Sequence, residues 1–416
     1  MAVNFTEAEW LILSSLGYAV NSSDSKNYDK TSGNLIDGKD KLKVEDLLEK
    51  LEKKATNNKK LTDLENYTEA IKSLKEKLKG YVVSKFSFHN KEEESGFVAL
   101  AIEPVPNDDK DVIVCCRGSD SLGIENANDW IDTDLALLAN EMNEQQYEMN
   151  LFMNDIKDYN NIYLTGHSLG GNLAMYGAII YDEPEKIRNV YSFDGPGFND
   201  EFIRIYKDKI KAVNGKIMNF QNENDFISSC FNSVGNVNII QFAYKTLKYN
   251  ELSGILFAGH QRFAFKVDSK GNLVRNNSGI KSTGCNTVHT LSQRMNCLYN
   301  YRIGNRTHNF SSANCERVIN LLNDFDNIKF SSLNDWNNYS GYAWFLKSTA
   351  LTVKKSIEQY YSAIDEANRS DKNNIKVLFG KIDSTSEKFA NLLGNTTNNT
   401  KALNDKICNA LIDRIK

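Results

Sequence analysis

The spacing of apolar residues divides the chain into three stretches of different character. Before Gly80 they recur at helical intervals. Val44, Leu47, Leu48 and Leu51 form one stripe, and Tyr67, Ile71, Leu74 and Leu78 form another, each on one face of a helix. A short helix is predicted within 1–20, in FTEAEWLILSSLGYA, with Thr6 as its N-cap. From Tyr81 the period falls to two, and YVVSKFSF, FVALAIEP and DVIVCC read as three successive strands. Strands and helices then alternate: an amphipathic run Tyr147 to Tyr159, an apolar strand from Ile162 to Thr165, a small-residue helix, the strand of VYSFDGPGF, a helix over about 200–211, and KIMNFQNEND. NIIQFA and RFAFKV are strand-like, and KVDSKGNLV reads as a hairpin. This alternation predicts an α/β sheet, largely parallel at its centre. From Trp336 the pattern is helical again, with Leu346, Ala350, Val353, Ile357, Tyr360 and Ile364 on one stripe. The expected organisation is therefore an N-terminal helical segment over 1–80, an α/β domain over 81–330 and an α-helical module over 331–416.

Bulk properties remove some partners. Lys+Arg (50) and Asp+Glu (54) nearly balance to a net charge of −4, so no polyanion-binding surface is implied and nucleic acid is not an expected partner. Apolar residues make up 41% of the chain, enough for a sizeable core. The seven cysteines have no metal-ligand spacing, and Cys115 and Cys116 read as small hydrophobes in a buried strand. No basic residue precedes Lys26, so a signal peptide's charged start is missing, and the early run Trp10 to Val20 is too short to span a bilayer. The reading is a chain made in the cytoplasm, without a cleaved signal or a transmembrane segment.

The chemistry centres on Gly166-His167-Ser168-Leu169-Gly170-Gly171, placed between a strand and a helix. Gly-x-Ser-x-Gly in that context resembles the nucleophile elbow of the α/β-hydrolases, whose serine sits on a strained turn at a helix N-terminus. The fuller string GHSLGG resembles that of triacylglycerol lipases, particularly class 3 lipases. A serine hydroxyl needs a base, an acid to orient the base, and donors for the oxyanion. In the α/β-hydrolases the acid and then the histidine follow the serine. That order disfavours His89, and His167 reads as packing beside the elbow. His260, in a loop before a strand, is the first choice of base; His289 is the runner-up and His308 the third. Asp225, two sheet steps beyond the serine strand, is preferred as the acid over Asp194, whose expected role is shaping the turn at Gly195-Pro196-Gly197.

The Leu169 N–H is the expected first oxyanion donor. The second is carried over by resemblance: Arg117-Gly118-Ser119-Asp120 is similar to a class 3 lipase segment whose Ser or Thr helps hold the oxyanion, which implies Ser119. Asp129-Trp130, Asp132 and the DGPGF turn extend the similarity to a lipase-like bacterial family, over roughly 80–270. Cys116 and Phe265 depart from its pattern. The resemblance implies an α/β-hydrolase fold, a Ser168–His260–Asp225 triad, a lipid or phospholipid ester as substrate, and neither cofactor nor metal. If a lid covers the site, 121–145 is the stretch where it would lie. The C-terminal helices add a layout similar to lipase toxins exported by type VII secretion, with small helical proteins as partners at 331–416. The competing reading is a silent hydrolase-like scaffold whose helices bind partner proteins.

Overall fold

The structure is a computed structural model that describes residues 4–29, 32–56, 64–89, 96–118, 144–225, 227–243 and 258–281. The chain divides into two units, and the one formed by 1–121, 142–246 and 259–281 holds every strand and α-helix described below. The second, 122–141, 247–258 and 282–416, lies outside the described residues apart from Ala258. The 331–416 module and almost all of 121–145 are thus outside them.

Seven strands form one sheet in sequential order: β1 (Val82–Phe88), β2 (Val98–Glu103), β3 (Asp111–Cys116), β4 (Asn161–His167), β5 (Ile187–Phe193), β6 (Ile217–Asn222) and β7 (Asn236–Ile240). The first three are antiparallel, and β3 through β7 are parallel. The parallel half is joined through α4 (Glu144–Asn154), α5 (Leu169–Ile180) and the pair α6 (Asp200–Ile205) and α7 (Lys207–Val213). β3 is buried along its whole length, as a strand covered on both faces must be.

Because strand order never reverses in the parallel half, right-handed crossovers all fall on one face of the sheet. There Gly177 of α5 sits against Leu164 of β4 and Met149 and Met153 of α4. The opposite face is covered by α1 (Glu7–Leu13), α2 (Val44–Thr56) and α3 (Leu64–Lys77). Their stripe residues Leu47, Leu48, Leu51, Tyr67, Ile71 and Leu74 share one core with Leu100, Ile102, Ile113, Phe193, Phe220 and Ile240 of the sheet.

Helix α1 is capped as its sequence predicts. The Thr6 hydroxyl accepts from the Glu9 N–H at 3.3 Å, and the Glu9 carboxylate accepts from the Thr6 N–H at 2.6 Å. Trp10 stacks on Tyr191 of β5 with 4.2 Å between ring centroids and lies over Tyr163 of β4 at 6.0 Å, contacts worth about 0.5–1.5 kcal/mol each beyond area burial. Glu7 pairs with Arg275 at 2.5 Å, and the Ala8 N–H donates to the Gly271 carbonyl. This is a mostly parallel α/β-hydrolase architecture. Among the described residues no helix is long and apolar enough to cross a membrane.

Candidate active site

β4 ends at His167, and α5 begins at Leu169. Ser168 lies between them at φ 60°, ψ −134°, a region that costs a non-glycine residue on the order of 1–3 kcal/mol. Main-chain bonds hold it there: the Ser168 N–H donates to Phe193 at the end of β5, and the Ser168 carbonyl accepts from Gly171. Gly166 and Gly170 make the turn possible. A Cβ on Gly166 would collide with the Gly170 carbonyl, and one on Gly170 with the Cys116 carbonyl of β3.

His260 ends a short 3₁₀ turn, Ala258–His260. Gly259 lets that turn lie on the main chain of Asn224 and Asp225, where a Cβ would clash. His260 is then in hydrogen-bond contact on both ring nitrogens. Nε2 is 2.7 Å from Ser168 Oγ, and Nδ1 is 2.8 Å from Asp225 Oδ1. The tautomer that serves both carries its hydrogen on Nδ1, donating to the carboxylate and accepting from the serine. Exposure is 4% for Ser168 and zero for His260 and Asp225. Asp225 also accepts from the Ile227 N–H at 3.1 Å, the Ser228 N–H at 2.8 Å and the Ser228 hydroxyl. Burial pushes its carboxyl up, but the charge and hydrogen bond of His260, with Lys281 and Ser228, outweigh this and hold it well below the usual carboxylate range.

Asp194, at the end of β5, is also fully buried, and it too has positive φ, 50°. Its Oδ1 accepts from the Asn222 N–H at 2.7 Å and lies 3.4 Å from Ser228 Oγ. The expected bond to its own turn is thus replaced by one to the neighbouring strand's end. Burial, then the negative Asp225, raise the Asp194 carboxyl well above the usual carboxylate range.

His167 packs beside the site, its ring centroid 5.0 Å from that of His260. Burial, then the charges of His260 and Arg262, lower it well below the usual histidine range. Tyr18 OH lies 3.4 Å from His167 Nδ1 and accepts from the Gly118 N–H at 3.1 Å. His167, Asp194 and His260 bring one nitrogen or oxygen each within 4.8 Å of one another. A cation there would compete with Ser168 and Asp225 for the nitrogens of His260.

Leu169 is the first residue of α5, and first-turn N–H groups have no carbonyl partner within their own helix. Ser119, His289 and His308 lie outside the described residues. Three participants have no signature in the sequence: Tyr18, Ser228 and Lys281 reach the site from separate segments.

The Mbeg1-like family model matches residues 73–301, more than half of the chain. No curated protein matches it. Among solved structures it is similar to the Lip2 lipase from Yarrowia lipolytica, at 13% identity and a TM-score of 0.33, covering 56% of this chain and 77% of that one.

Proposed function

We propose that this chain, which belongs to the Mbeg1-like family, is a serine carboxylic-ester hydrolase acting on lipids. One observation carries the reading: the unbroken hydrogen-bonded series Ser168 Oγ, His260, Asp225 on a positive-φ serine between strand and helix. Ser168 Oγ attacks the ester carbonyl carbon while His260 Nε2 takes its proton. The carbonyl oxygen becomes an oxyanion facing the Leu169 N–H and Ser119. His260 then protonates the leaving alcohol, which gives the acyl-enzyme. Water, deprotonated by the same nitrogen, releases the fatty acid and restores Ser168. Asp225 orients the ring and stabilises its cationic form without itself taking the proton.

A lipid substrate, a triacylglycerol or a phospholipid cleaved at an acyl ester, is supported by the similarity of the GHSLGG and Arg117-Gly118-Ser119-Asp120 segments to those of lipases. Fluorophosphonate labelling of Ser168, lost in Ser168→Ala, tests the nucleophile. Product mass spectrometry on mixed phospholipids and triacylglycerols tests the substrate class. Labelling without release of fatty acid from either would replace the lipid with a small ester or thioester. Ser119→Ala belongs in the same assay, since a raised KM with unchanged kcat would move Ser119 from the oxyanion to substrate binding.

The finer reading is a lipase toxin exported by a type VII route, with 331–416 docking small helical proteins. Its support is the layout of the sequence alone. Co-purification of the full chain with proteins encoded beside it, lost when 331–416 is deleted, is the expected result; retention without those residues removes the docking role.

A further inference from the structure

Lys281 is a lysine with 9% exposure next to two buried carboxyls. Its Nζ donates to the Asp225 main-chain oxygen at 2.8 Å, to Ser228 Oγ at 2.7 Å and to Ser229 Oγ at 2.8 Å. An ammonium has three donors and no acceptor, so each of these oxygens must accept. That sets the direction of the Ser228 hydroxyl. Its lone pair faces Lys281, and its single hydrogen is left for a carboxylate. Asp225 Oδ2 is the nearer taker, and Asp194 Oδ1 stands 3.4 Å away. Ser229 Oγ in turn donates to the Asp225 carbonyl at 3.1 Å. The segment 225–229 is therefore tied to one side chain at three points, and that side chain comes from a different part of the chain.

We infer that Lys281 is a positioning residue: acting through Ser228 and Ser229, it locks the turn that aims the Asp225 carboxylate at His260 Nδ1. Its importance for turnover rests on the proposed triad; the geometry it imposes does not. Two buried carboxyls this close cannot both ionise cheaply, and a proton shared between them would blur which one serves the histidine. The ammonium lies on the Asp225 side of the pair, with main-chain N–H groups of Ile227 and Ser228 on the same carboxylate. It thereby favours the anion on Asp225 and leaves the proton on Asp194.

The test uses the full chain as Lys281→Met, Ser228→Ala and the double variant, with two readouts. One is kcat and KM on a p-nitrophenyl ester. The other is the downfield proton signal of the His260 Nδ1–H in the resting protein, assigned by its loss in His260→Gln. Lys281→Met is expected to lower kcat about tenfold or more with KM unchanged, a loss smaller than the ~10⁴-fold of a misoriented triad histidine. The signal should move. The double variant should lose less than the product of the single losses, because both act along one path. Losses that multiply would overturn the route through Ser228. If Lys281→Met does not fold, Ser228→Ala alone must still move both the signal and kcat. An inactive wild type whose signal responds to these substitutions would sink the esterase reading and keep the positioning role. An active wild type in which neither kcat nor the signal responds would do the reverse.

Discussion

Beyond the ends of β5 and β6 stands the same residue type at the same depth, yet Asp194 and Asp225 are shifted in opposite directions. Both are fully shielded from water. Asp225 accepts two main-chain N–H bonds, the Ser228 hydroxyl and His260, and is held as an anion. Asp194 accepts one main-chain N–H and a long contact from Ser228, and burial with the Asp225 charge pushes its carboxyl up. Depth does not distinguish an acid that can orient a histidine from one that cannot. The number and direction of donors aimed at the carboxylate do.

The largest effect should come from Asp225→Asn, which leaves the size of the side chain intact but presents the wrong partner to His260 Nδ1; a kcat loss of about 10⁴-fold is expected. Steady-state kinetics on folded protein checks it. A tolerant Asp225→Asn beside an inactive Asp194→Asn would exchange the roles of the two strands.

The second effect is thermodynamic and opposite in sign for the two sites. The folded-state pKa of Asp194 is raised, so as pH climbs above about 4 the unfolded chain releases a proton that the native state retains. The stability this residue supplies is complete in acid and declines with rising pH. Asp194→Asn should therefore gain on the wild type as pH rises from about 4, by no more than about 1.4 kcal/mol per pH unit. Asp225 has a lowered pKa, so its stabilisation is present above about pH 4 and is lost as pH falls through the folded value. The deficit of Asp225→Asn should shrink in acid. Urea denaturation from about pH 2 to 8 covers the acid window of Asp225 and the rising window of Asp194, and parallel slopes would contradict the opposite shifts.

Asp194→Asn should cost turnover little, under ~10-fold in kcat. The smallest effects are expected from His289→Ala and His308→Ala, which should stay near the wild-type rate; inactivity of either would take the role of base from His260.

Much of this arrangement is local enough to read in the sequence. Strand periodicity marks β1, β2 and β3, and Gly166, Ser168 and Gly170 declare the sharp turn because no other residues pack so closely there. Chain order narrows the acid and the base to a few positions. What the sequence hides is contact between distant segments. Asp194 bonds to Asn222 N–H on the next strand because parallel pairing brings the ends of β5 and β6 together. Lys281 looks like any polar-loop lysine until the fold buries it against Ser228 and Ser229. RFAFKV reads as a strand by alternation, but among the described residues it forms only isolated bridges, Phe242 with Phe265 and Val267 with Leu273.

The anchoring of α1 also has a consequence in time. Glu7 binds the N–H of Leu273, a partner 266 residues away, and Trp10 needs strands β4 and β5 before it has rings to stack on. A ribosome adding about 5–20 residues per second takes on the order of 15–50 s to supply that last partner. Over that interval the segment Ala8–Leu13, all of it buried in the finished protein, gains its packing in stages, α2 and α3 first and β4 and β5 later. The burial of this helix is thus completed only after both β5 and the segment around Leu273 have been made.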